Sequence, residues 1–173
     1  MIRPFGDKIP KIAESVFVSE AAYVIGDVEI GENSSVFPGA VVRADFGTIR
    51  IGKNTHIQDN VVVHVGPPSL EIGDNVLVGH GAVVHARKIG NNVLIGMNAT
   101  IMDHVEIEDH CIIAGGAILV EGMKVPRDSF VAGVPAKQIG LACRGGTTLK
   151  FNNNHAICGY CGDRFLLQEG KLT

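Results

Sequence analysis

The chain has 173 residues, with 15 Lys+Arg against 18 Asp+Glu and a formal net charge of −3, so no basic field invites nucleic acid. Hydrophobic residues make up 46%, enough for a real core and too many for a disordered chain. Val and Ile number 21 and 18 against 9 Leu, and Gly numbers 22; branched β-carbons suit strands, so helical bundles and doubly wound α/β folds are poor fits.

The opening stretch, MIRPFGDKIPKIAESVF, holds no unbroken apolar run of the signal-peptide kind. No segment approaches the ~20 apolar residues of a membrane span, so no membrane partner is expected. Four cysteines, two of them in a CxxC, suit a reducing compartment. The expected location is the cytoplasm.

From Val18 an aliphatic residue returns every six positions: Val24, Ile30, Val36 and Val42, then Ile51, Ile57 and Val63, then Ile72, Val78 and Val84. The clock resumes at Ile89 and runs without a miss through Ile95, Ile101, Ile107, Ile113, Leu119, Val125 and Val131. A second stripe of small or branched residues follows four places behind, including Ala40, Thr55, Val61, Ala82, Ala99 and Cys111. A six-residue period fits one flat side of a coil: a short strand with two inward side chains, then a corner, often with Gly for its freedom in φ. Three sides make a turn of a triangular prism, and successive turns stack as parallel strands ~4.8 Å apart. The expected fold is all-β, a parallel β-helix of about seven turns over roughly residues 12–135, within a domain spanning 1–140.

The clock also sorts the polar residues. His64 follows Val63 and His85 follows Val84, three clock steps later, so the two histidines should share an edge of the prism one rung apart. Arg43 follows Val42 and joins that column. His80 lies two places after Val78, on another edge, with Asp59 one rung away and Gln58 beside it. Within one chain His80 should not reach the His64–His85 pair, but a neighbouring subunit of a three-fold oligomer could bring it there. Imidazoles on adjacent rungs can converge on one metal ion. His56, His104 and His110 read as solvated corner residues and Cys111 as a small core residue.

After VAGVPAK, residues 131–137, the clock stops, and 141–173 read as a separate small tail. There Cys158-Gly-Tyr-Cys161-Gly resembles a zinc knuckle, which Cys143 and His155 could complete to four ligands.

The segments VVRADFGTIRIGKNTHIQDNVVVHVG and VLVGHGAVVHARKIGNNVLIGMNATIM resemble the gamma-class carbonic anhydrases, through R-x-D, Q-D-N followed by His, and G-H-x(4)-H. The likeness covers about residues 8–140 and implies the left-handed form of the hexapeptide β-helix. It also implies a homotrimer that binds zinc, with iron or cobalt as substitutes, through His64, His80 and His85, His80 coming from the adjacent subunit. Arg43 would pair across the interface, with Asp59 the nearest candidate. Asp45 would support the trimer, and Gln58 would hold water or bicarbonate at the metal. Three neutral imidazoles leave a fourth position open and bring the pKa of a bound water to about 7, which suits reversible hydration of CO₂ to bicarbonate. Several positions depart from the family pattern: the acidic loop is reduced to VGPPSLEIG, Phe46 stands in place of a Glu, and His56 in place of an Asn. The family's C-terminal helix is not evident, and together these departures imply slow turnover. Two other classes share the solenoid: hexapeptide acyltransferases, which use one His as general base with acyl-CoA, and non-catalytic metal-binding assembly subunits.

Overall fold

The six-residue clock becomes a coil of mostly two- and three-residue strands. The computed structural model describes residues 1–168 and 171–172. Across them the chain is all strand and turn, forming a parallel β-solenoid of about seven turns. Among the described residues no helix is long and apolar enough to cross a membrane.

One face of the prism is an eight-stranded sheet; the other two are joined into a twelve-stranded sheet. The joint is the long strand Val41–Ile51, which pairs through its first half with Val62–His64 and through its second with Ser69–Ile72. This is where the sequence period slips by three residues: the extra residues continue the strand around the corner, with Ala44 and Ile49 added to the core. The later slip, around GPPS, leaves the strand ladder between His64 and Ser69. Every clock residue from Val24 to Val131 is buried, as is the second stripe, while Val18 is only partly covered. Each side of a rung therefore places two side chains in the core, and neighbouring rungs supply most of each other's contacts.

Left-handed corners are shared between glycine and asparagine. Gly39, Gly81, Gly116 and Gly122 hold corners with φ of 68° to 73°, as expected, while Asn33, Asn54, Asn75 and Asn92 form a column with φ between 51° and 58°. His104 and His110 hold corners in the same conformation, at 59° and 60°, which short polar side chains tolerate best. Glycines 31, 52, 73 and 90 serve close approach instead. A Cβ on Gly73 would lie 2.6 Å from Asn91 Oδ1 and 2.7 Å from the Gly90 carbonyl oxygen, so any side chain would force adjacent rungs apart. Gly73→Ala is expected to cost about 1–3 kcal/mol of stability, measurable as a lower denaturant midpoint with the slope unchanged.

The ladder ends where Ser129–Gly133 turns back and pairs antiparallel with Ala136–Leu141. Beyond it a small three-stranded sheet, His155–Ile157 with Arg164–Gln168 and Lys171–Leu172, covers a second core of Cys143, Leu149, Ala156 and Cys158. Cys111 belongs to the main core, where burial pushes its thiol pKa up to about 11.

Candidate metal centre

Three consecutive rungs build the centre. Arg43 pairs with His64 in the sheet register, and Val62 and Val63 pair with Val83 and Val84, so His64 and His85 leave the same edge one rung apart. Their rings meet: Nδ1 of His64 lies 2.9 Å from Nε2 of His85, with ring centroids 4.9 Å apart. The outer nitrogens face carboxylates. Nε2 of His64 donates to Asp45 Oδ1 at 2.9 Å, and Nδ1 of His85 donates to Asp103 Oδ1 at 2.8 Å. The result is a four-residue stack, Asp45–His64–His85–Asp103.

This pattern has a chemical consequence. Each carboxylate holds the ring proton on the nitrogen that faces it, which leaves a lone pair on the other nitrogen. Two such lone pairs then face one another across 2.9 Å. A cation between them would satisfy both, and zinc with bonds of ~2.0–2.1 Å needs a separation of only about 3.3 Å. The residues fit a metal.

Asp45 is buried. Burial pushes its carboxyl pKa up, but the hydrogen bond from His64, the backbone amides and the Arg43 charge outweigh that and leave it lowered. Arg43 forms its ion pair with Asp45 of its own chain, and Lys8 adds a hydrogen bond to the Asp45 carbonyl at 2.7 Å. Asp59, expected to meet Arg43 across a subunit boundary, lies within its own chain 2.9 Å from His80 Nδ1. Gln58 Oε1 accepts from the His80 amide at 3.2 Å. Gln58, Asp59 and His80 thus form a second cluster, and among the described residues His80 does not join the His64–His85 pair in any group close enough to share an ion.

Asp103 escaped the sequence reading. Its signal is the clock itself: it lies two places after Ile101, whose strand stacks on Val83–Val84, so it belongs to the rung above His85. In the tail, Cys143, Cys158 and Cys161 bring their sulfurs within 4.8 Å of one another, and His155 is not part of that group. The strand His155–Ile157 alternates exposed, buried, exposed, so only Ala156 faces the small core and the four-ligand set expected from sequence reduces to three thiols.

Residues 88–120 match the bacterial transferase hexapeptide (six repeats) family. A carbonic anhydrase of Geobacillus kaustophilus is 38% identical over 140 residues, covering 80% of this chain and 77% of that protein. The chain belongs to the gamma-class carbonic anhydrase family. The mitochondrial gamma carbonic anhydrase 2 of Arabidopsis thaliana is 41% identical over 138 residues, 76% of this chain and 50% of that protein. This chain thus spans about half the length of its Arabidopsis relatives. Among solved structures, a hexapeptide transferase family protein of Anaplasma phagocytophilum superposes with a TM-score of 0.79 at 35% identity, over 83% of this chain and 85% of that one.

Proposed function

We propose that this protein catalyses the reversible hydration of CO₂ to bicarbonate at a zinc site shared between subunits of a cytoplasmic homotrimer. His64 and His85 of one subunit and His80 of the next would hold the metal. The observation that supports this reading is the facing imidazole pair, whose outer nitrogens are both fixed on carboxylates. Zinc bound there supplies Lewis acidity, bringing a water near it to a pKa of about 7.

The chain's own residues do the rest. Asp45 and Asp103 fix the ring orientations and make the inner nitrogens better donors. Asp59 stands 2.9 Å from His80 Nδ1, close enough to hold that ring by charge. Arg43 screens the Asp45 charge, and Gln58, hydrogen-bonded beside His80, is placed to orient bicarbonate by its amide. Among the described residues of one chain, His64 and His85 stand at a partly open edge and no third ligand joins them, so a second subunit would complete both the ligand set and the walls. Asp103→Ala is expected to weaken zinc binding by roughly 10–100-fold, checked by competition against a chelating dye.

The deciding experiment is a CO₂ hydration assay on zinc-reconstituted protein, run beside a CoA-binding measurement. Hydration that depends on His64 supports the reading. The Anaplasma likeness favours as second reading an acyltransferase that uses acyl-CoA; CoA binding without metal-dependent hydration would establish it. Tight metal with neither activity would make the chain a metal-binding assembly subunit.

A further inference from the structure

The tail carries two similar turns, the second one residue longer than the first. In the first, the Gly146 amide donates to the Cys143 carbonyl at 2.9 Å, the Gly145 amide donates to Cys143 Sγ at 3.2 Å, and Gly146 has φ 82°. In the second, the Gly162 amide donates to the Cys158 carbonyl at 2.9 Å, and the Tyr160 and Cys161 amides point at Cys158 Sγ from 3.4 and 3.5 Å. Gly162 has φ 77°. Each turn thus closes on a left-handed glycine and aims at least one backbone amide at the sulfur of its leading cysteine.

The sulfurs converge between the turns. Cys143 and Cys161 are 3.3 Å apart, and Cys158 lies with them inside the 4.8 Å group. The Thr147 hydroxyl is 3.1 Å from Cys158 Sγ. Sulfurs sharing a tetrahedral zinc with bonds of ~2.3 Å stand about 3.8 Å apart, so small shifts suffice. Gly145 stands beside this group. A Cβ there would lie 3.5 Å from Tyr160 Cδ1, 3.6 Å from Cys143 Sγ and 3.6 Å from Cys161 Cβ, ordinary contacts with no left-handed backbone to strain. The space beside Gly145 faces the sulfurs.

We propose that Cys143, Cys158 and Cys161 bind one zinc ion through three thiolates, with the fourth position, beside Gly145, taken by exchangeable water. This site is independent of the histidine centre. The ion draws the two turns together and so completes a tail whose second core is too small to fold firmly alone. Cys161 is exposed while Cys143 and Cys158 are buried, so the open position is reached from the Cys161 side.

Cobalt(II) added to the reduced full-length chain tests this. A thiolate-to-cobalt charge-transfer band should appear and persist in the His64→Ala/His85→Ala double variant. It should vanish in Cys161→Ser, a change at an exposed position that leaves the small core intact. Added imidazole should shift the visible bands of the wild-type cobalt form by entering the fourth position. Gly145→Cys should abolish that shift and tighten zinc binding by at least an order of magnitude; if that variant fails to fold, the imidazole response of the wild type carries the test alone. No band in the reduced wild type, a band only in Gly145→Cys, or a band unchanged in Cys161→Ser overturns the proposal. So does a wild-type band that imidazole does not alter.

Discussion

Refolding a mixture of His64→Ala and His80→Ala chains is expected to restore tight zinc binding that neither variant has alone. The His64→Ala chain loses one of the two facing nitrogens, while the His80→Ala chain keeps that pair but offers its neighbour no third ligand. In every mixed trimer one boundary joins an intact His64–His85 pair to an intact His80, so each gains one complete site. Removing one of three ligands lowers affinity steeply, because the remaining pair must recruit water in its place. Metal content after gel filtration against a chelator is the readout, with CO₂ hydration as a second. Proven mixed trimers with no more metal than either parent would show that the site is not shared between chains.

Ile95→Ala is expected to cost about 2–5 kcal/mol. Ile95 is fully buried, stacked between Val78 on one rung and Ile113 on the next. A close-packed core relaxes only partly into the cavity, and the loss is felt by both neighbouring rungs. Leu94, beside it on the strand, points outward and is only half-buried, so Leu94→Ala should cost much less. Urea unfolding of the two variants compares them directly; equal losses would mean that the alternation along this face is not what holds the coil together.

Much of the site could be read before any coordinates, because a solenoid converts sequence spacing into position. The phase of Val42, Val63 and Val84 placed Arg43, His64 and His85 in one column, and the sheet register and the 2.9 Å ring contact agree. The same phase separated His80 from that pair. Asp103 was missed because its offset from Ile101 differs from that of His85 from Val84, and only the direction of the His85 ring shows which carboxylate it meets. Within the chain, the long strand Val41–Ile51 also brings Asp45 under the Arg43 guanidinium, a contact the spacing alone did not show.

The role of the glycines and the tail followed a different logic. Glycines after the clock residues suggested free φ, but the need at Gly31, Gly52, Gly73 and Gly90 is backbone touching backbone on the next rung, a distance that no single rung's sequence contains. Cys143 joins the CxxC pair, while His155 turns away because strand alternation puts Ala156 inward. By itself the sequence determined the coil, its buried stripes and the column that holds two histidines, since a fixed period repeats one local geometry rung after rung. Only the tertiary structure decided which nitrogen faces which carboxylate, which glycines are pressed against a neighbour and which thiols meet in the tail. Those depend on ring directions and on gaps of a few ångströms between segments that the period does not relate.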